Sequence, residues 1–412
     1  MKKLNILVIL FSLTFLSAKV LTLDEAVNLA LENSHESQQL IIEQNKVESN
    51  YNTTLWNIAP DGSIQYNVSN GSRSKTSESL GFSVSKNILS TLPDYFNWKT
   101  AKNNIEMNNL SNKQTTKSIA WNVLNSYINL LLNQKRLEVY QQNYVVQLDL
   151  LEKTKLLKQQ GRKTPYEANQ AEINTLNSEL NLLDAQKSIN QKERDLLLLL
   201  NIEADSLFLQ DIELEIAPEY SFNIENEKSF SILLREMSIE HNKLLLQQDR
   251  LRFLPSLNLS WSYGRGSTNN EPFEFSNYTG SSTWGLSLSY PILNQFKQHE
   301  SHFRTKQNLF SEEINLDKQV KEFKANYEQL VADLENQMLK KGINDKILEQ
   351  SQENFEIAKV NYNLGIIKTI ELDQSQTELR EAELNNLDIG YQIYLKQQAI
   401  NHLLSKKIAG KW

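Results

Sequence analysis

The sequence predicts a mainly α-helical fold with a four-strand β contribution, in which a unit of helix, β-hairpin and long helical hairpin is duplicated. Three observations carry this: a repeat held in constant register, four segments of period-two alternation, and two long stretches with a thin apolar stripe. The repeat comes first. Gly81-Phe82-Ser83-Val84-Ser85 matches Gly285-Leu286-Ser287-Leu288-Ser289, 204 residues on. Gly161 and Gly365, Glu167 and Glu371, and Val123, Tyr127 and Leu130 with Tyr327, Val331 and Leu334 stand at the same offset. Ala59-Pro60 matches Leu254-Pro255 at 195, so the second unit has the longer hairpin loop.

The elements follow in order. Met1-Lys2-Lys3, the apolar run Leu4 to Leu16 and the small pair Ser17-Ala18 form a secretory signal pattern, expected to be cleaved after Ala18. Residues 19–200 are then the first repeat, 201–225 a linker and 226–412 the second repeat. A helix is expected from Thr22 to about Trp56, where acids follow Thr22 in the first turn, and its counterpart from Asn226 to about Phe253. Strands are expected at about 62–70, 79–88, 256–264 and 282–290. In each, bulky apolar residues such as Ile64, Tyr66 and Val68 alternate with small polar ones. Long helices follow, about Tyr95 to Gln160 and Phe296 to Leu364, each about 100 Å at 1.5 Å per residue. The 3-4 spacing of Phe323, Tyr327, Leu330, Leu334 and Met338 in a chain rich in Asn, Gln, Lys and Glu is coiled-coil behaviour. Return helices run from about Pro165 to Leu200 and Ile370 to Leu404.

Composition narrows the function. Mean hydropathy is -0.50 and no stretch reaches 18 apolar residues, so a membrane could be crossed only by a β-barrel. With no cysteine there is no disulfide or thiolate metal site, and a net charge of -7 gives no reason to expect nucleic acid. Four strands cannot close a barrel, for which about eight is the minimum. Two chains supply eight and three supply twelve; a long helical wall favours twelve. A soluble β-sandwich is the alternative, but the thin apolar seams offer little core to cover one. Trp261, Tyr263, Trp284 and Tyr290 are expected near strand ends, as an interfacial girdle or as core.

The two helical turns explain themselves chemically. Gly161 and Gly365 stand where a helix ends in the left-handed conformation. Thr164-Pro165-Tyr166-Glu167 is a capping box with proline in the first turn; Thr369 is its expected counterpart, without an acid three residues on. The first tip is basic (Lys153, Lys155, Lys158, Arg162, Lys163). The second is expected to expose Leu364, Ile366 and Ile367, beside Lys368. These are either simply well-made turns or docking points, since an apolar turn on a hydrophilic hairpin asks for a partner.

Taken together, the chain resembles the TolC-like outer-membrane efflux protein family. The resemblance covers the mature chain, and rests on Leu23-Asp24-Glu25-Ala26 with Ala30-Leu31, on Gln160-Gly161-Arg162-Lys163-Thr164, and on Tyr362-Asn363-Leu364-Gly365 followed by Thr369-Ile370-Glu371-Leu372. It implies a homotrimer with a 12-strand barrel in the outer membrane and a 12-helix periplasmic α-barrel. The implied partners are outer-membrane lipid, a periplasmic membrane fusion adaptor docking on the tips, and an inner-membrane transporter of the RND or ABC class. It also implies that Glu167, Glu371 and the position of Gln374 ring the periplasmic gate. Gln374 stands where an aspartate is often found, and no arginine occupies the stretch directly after Gly365, where one often helps lock the tip. Six glutamates brought together would raise some carboxyl pKa values. The acidic segment Asn201 to Glu227 corresponds to an equatorial girdle.

No catalytic constellation, cofactor site or metal site is read. Gly264-Arg265-Gly266 lacks the rest of a phosphate-binding fingerprint, and His299-Glu300-Ser301-His302 is one residue short of a zinc-protease motif. The alternatives are a duct for type I protein secretion and, from another class, a periplasmic coiled-coil adaptor or structural protein.

Overall fold

The structure, a computed structural model, describes residues 20–70, 76–89, 91–204, 207–212, 229–269 and 279–408. The expected signal peptide and most of the acidic linker lie outside them. The element order is α1 (Leu23–Asn33), α2 (His35–Trp56), β1 (Asp61–Asn70), β2 (Thr76–Asn87), α3 (Thr91–Gln159), α4 (Pro165–Leu200), α5 (Phe230–Leu251), β3 (Ser256–Asn269), β4 (Thr279–Ser289), α6 (Asn294–Asn363) and α7 (Thr369–Leu403). Helix, strand pair, long helix and return helix thus occur twice.

Several expected boundaries move. The first helix is two, because Ser34 is extended (φ -62°, ψ 148°). Its amide donates to the Ala30 carbonyl and its hydroxyl accepts from the Ser37 amide at 3.2 Å, so one residue ends α1 and starts α2. α5 begins at Phe230 behind Ser229, whose hydroxyl caps Ile232. α3 begins early enough to hold Pro93 in its first turn, where a missing amide proton costs nothing. β3 runs past its expected end to Asn269, while β2 and β4 begin three residues early, at Thr76 and Thr279.

The chain forms two compact units, and each draws on both repeats: residues 1–39, 115–227 and 323–412 in one, 40–114 and 228–322 in the other. The repeats are therefore not the units of packing.

The second of these units holds one four-stranded antiparallel sheet in the order β1-β2-β3-β4, where the sequence suggested two hairpins. β2 and β3 pair from Thr76↔Asn269 to Asn87↔Asn258. β1 and β4 are left as edges with one paired side each. The register places Ile64, Tyr66, Leu80, Phe82, Val84, Leu259, Trp261, Trp284, Leu286 and Leu288 on one face. Much of it is exposed, with Trp284 at 71% and Leu288 at 69%. The other face is serine, glycine, asparagine, glutamine and threonine, with Asp61 at one end. Trp261 and Trp284 pair with each other midway along β4, not at the strand ends as expected. Phe82 meets Trp261 edge-on at 5.8 Å, a contact worth about 1 kcal/mol beyond burial.

The helical unit is a layer whose order follows from its bonds. α4 lies on α3 through Thr175 Oγ1 to the Gln147 carbonyl at 3.2 Å and Ser188 Oγ to Asn133 at 3.0 Å. α3 lies on α7 through the bidentate Arg136–Asp388 pair, with bonds of 2.7 and 2.6 Å. α7 lies on α6 through Lys396 and Asp333 at 2.7 Å. So α4 and α6 flank the layer. Its densest part buries Val123, Leu124, Tyr127, Ile128, Leu196, Leu200, Ile393 and Ile400 completely or nearly so. Each aliphatic side chain there contributes about 2 kcal/mol. The Tyr127 hydroxyl lies 2.8 Å from both the Leu21 and Gln210 carbonyls, tying the segment around Leu209 to the start of the described chain. Leu21 and Leu209 form a parallel bridge there.

Candidate functional site: the hairpin tips

Both helical hairpins turn in the same way. At Gly161 φ is +74° and at Gly365 +77°, the left-handed region that a Cβ disfavours. Arg162 N donates to the Leu157 carbonyl and Ile366 N to the Asn361 carbonyl, both at 2.9 Å, which satisfies carbonyls that the helix ends leave open. The return helices start differently. In α4 the capping box is complete: Thr164 Oγ1 accepts from Glu167 N at 3.2 Å, and Glu167 Oε2 accepts from Thr164 N at 2.9 Å. In α7 the cap residue is Lys368, with no side-chain cap bond, and Thr369 is buried as the first helical residue. Thr369 therefore does not cap.

Lys163 is turned inward. Its Nζ donates to Glu167 Oε1 at 2.8 Å and to Thr369 Oγ1 at 3.4 Å, and lies 5.0 Å from the centre of the Tyr362 ring. One side chain of the first tip thus touches the second tip at two points. Tyr362 is buried with Leu150 and Leu372, and its hydroxyl shares a hydrogen bond with Thr154 at 3.1 Å. Ile367 packs against this cluster, while Leu364, Ile366 and Ile370 are exposed. Of the expected apolar tip, Ile367 is therefore internal. Gly161, Arg162, Thr164, Gly365 and Lys368 are at the surface, as is Tyr166, which sequence reasoning passed over.

The proposed gate residues do not meet within one chain. Glu167 is committed to its own cap and to Lys163, which with the Thr164 amide holds its carboxyl below the usual range. Glu371 is exposed, and exposed Gln374 donates to Glu378 at 3.1 Å. Asp373, one residue away, accepts from Gln147 at 2.9 Å.

Sequence reasoning missed the seam behind the tips. Gln147 Nε2 also donates to Gln376 at 3.2 Å, and Gln376 Nε2 to Asn143 at 2.9 Å, joining α3 to α7 through buried amides. Asn143 and Gln147 sit four residues apart, at a spacing an apolar seam would use, and that was the signal available. Among the described residues no group of three or more His, Asp or Glu side chains could hold a metal, and no helix is long and apolar enough to cross a membrane.

Residues 230–406 match the family model described as outer membrane efflux protein. This part of the chain is thus similar to a family of outer-membrane efflux proteins. Solved structures share the fold of this chain. The Campylobacter jejuni CmeC outer membrane channel is 15% identical, with a TM-score of 0.79 over 93% of this chain and 85% of that one. The open state of the Neisseria gonorrhoeae MtrE outer membrane channel is 15% identical, with 0.81 over 94% and 89%. The outer membrane protein VceC of Vibrio cholerae is 13% identical, with 0.76 over 94% and 96%. No curated protein matches the sequence.

Proposed function

We propose that three copies of this chain form an outer-membrane duct for efflux of small molecules, completed by a periplasmic adaptor and an inner-membrane transporter. The observation that carries the reading is the sheet: four antiparallel strands with two open edges and an exposed apolar face. Open edges invite pairing, and closure removes them. Pairing β4 of one copy with β1 of the next closes twelve strands, with the apolar face toward lipid and the hydroxyl and amide face toward the lumen.

The helical layer supports the same ring. Its flanking helices each expose an apolar stripe: Ile173, Leu176, Leu180 and Leu183 on α4, and Leu339, Ile343, Ile347 and Ile357 on α6. The α4 spacings of three and four are those of a coiled-coil seam, so α4 of one copy fits α6 of the next. At the tips, exposed Leu364, Ile366 and Arg162 are the docking points for the adaptor. Glu167, Glu371 and Gln374 line the gate.

The mature chain should require detergent and form pores in planar bilayers. A chain that stays soluble without detergent and conducts nothing is the periplasmic adaptor or structural protein instead. Deletion of the gene should raise dye accumulation; loss of one secreted polypeptide with normal dye efflux would favour the secretion duct.

A further inference from the structure

The four helix–strand connections enter the sheet at one end, where Asp61 pairs with Ser85, Asn87 with Asn258 and Ser256 with Ser289. Every connection exposes large apolar side chains. Trp56 precedes β1, Leu92 follows β2, Leu254 precedes β3, and Tyr290, Leu293 and Phe296 follow β4. Trp56 is 78% and Leu293 80% exposed. Scattered apolar residues need no explanation, but a collar drawn from four separate connections does. It also continues the apolar face of the sheet, since Tyr290 lies two residues beyond Leu288 and on the same side.

Charge changes sharply next to the collar. Within about three turns of the collar, α3, α5 and α6 with their caps expose Lys99, Lys102, Lys243, Arg250, Arg252, Lys297 and Arg304 against Glu300, while α2 exposes Glu48 beside Lys46. The other acids close by are largely engaged: Asp94 by Lys86 at 3.1 Å and Asp249 by Arg252 at 3.2 Å, leaving Asp61 exposed on β1.

We infer that this collar is a lipid-binding surface for an anionic phospholipid leaflet. The apolar side chains enter the boundary between headgroups and acyl chains, and the bases meet the headgroup phosphates. Continuity with the sheet face and charge complementarity favour lipid over a protein partner. The inference rests on the barrel reading above.

The chain has no cysteine, so Leu92→Cys, Leu254→Cys and, as a strand control, Leu286→Cys can each carry a fluorophore in the full chain. The probes are vesicles of phosphatidylcholine, with or without phosphatidylglycerol, brominated near the headgroup or at mid-chain. Position 286 should be quenched by the deep bromines. Positions 92 and 254, on the inner connections, should be quenched by the shallow ones, and more strongly by brominated phosphatidylglycerol. Lys99→Gln with Lys297→Gln should lower that preference by up to about fivefold per base. If 286 is quenched while 92 and 254 are silent, or both lipids quench them equally, the inference is overturned and the barrel stands. If 286 itself is silent, the barrel reading fails instead.

Discussion

The ammonium of Lys163 lies 5.0 Å from the centre of the Tyr362 ring, so a side chain from the first hairpin tip rests on an aromatic residue of the second. Its bonds to Glu167 and Thr369 complete a clasp between the tips of a single chain. The clasp uses no arginine after Gly365, which the family resemblance had led one to look for. Lys163→Met keeps the aliphatic stem and removes the charge. A cation–π contact of this kind is worth about 1 kcal/mol. Single-channel recording should show a higher open probability, by roughly fivefold; unchanged conductance would mean the clasp does not restrain the tips.

The capping box gives a stability prediction. Thr164→Ala removes the acceptor for Glu167 N and should cost about 1 kcal/mol, read as a lower melting temperature. Thr369→Ala should not act through capping, because Thr369 caps nothing. Its cost should instead disappear in the Lys163→Met background, a test by double-mutant cycle.

Glu167 also sets a pH dependence. Its folded pKa is depressed, chiefly by Lys163, so its contribution is present above the ordinary glutamate pKa and lost as pH falls through the folded value. Glu167→Gln should lower stability at neutral pH and flatten the acid loss. An unaltered acid profile would count against this linkage.

His402 works in a different acid window. Burial, and secondarily Lys117, push its pKa down to about 4, while Trp121 stacks on its ring at 5.2 Å. The unfolded chain takes up the proton first, so stability should decline from about pH 6.5 toward pH 4. His402→Phe should remove that decline in thermal melts at pH 7.5 and 5. If the variant and parent lose stability in parallel, the histidine is not responsible.

Tyr127 tests the segment around Leu209. Tyr127→Phe takes away the donor shared by the Leu21 and Gln210 carbonyls, at about 1–2 kcal/mol. Amide exchange should accelerate around 207–212, with the rest of α3 unchanged.

These relationships show what was legible in the sequence. The strands were, because alternation of residues such as Leu286 and Ser287 is a local signal. So were the turns, because Gly161 and Thr164 each answer a local backbone need. The joining of β2 to β3 was not, since Gly81 and Gly264 are far apart in sequence and no local pattern records their pairing. Lys163 read as one of five surface bases; its neighbours Tyr362 and Thr369 come from the other repeat. The break at Ser34 carried a weak signal, one serine in a continuous helical pattern. Ile367 looked like its exposed neighbours and is internal because the turn carries it back onto Tyr362 and Leu372.

The central claim is that the two open edges of one sheet close only with other copies. Native mass spectrometry of the chain, extracted in detergent from the membranes of cells that express it, tests it most directly. The account predicts a particle of three copies, hence twelve strands. A stable monomer, or a dimer with eight strands, would contradict it.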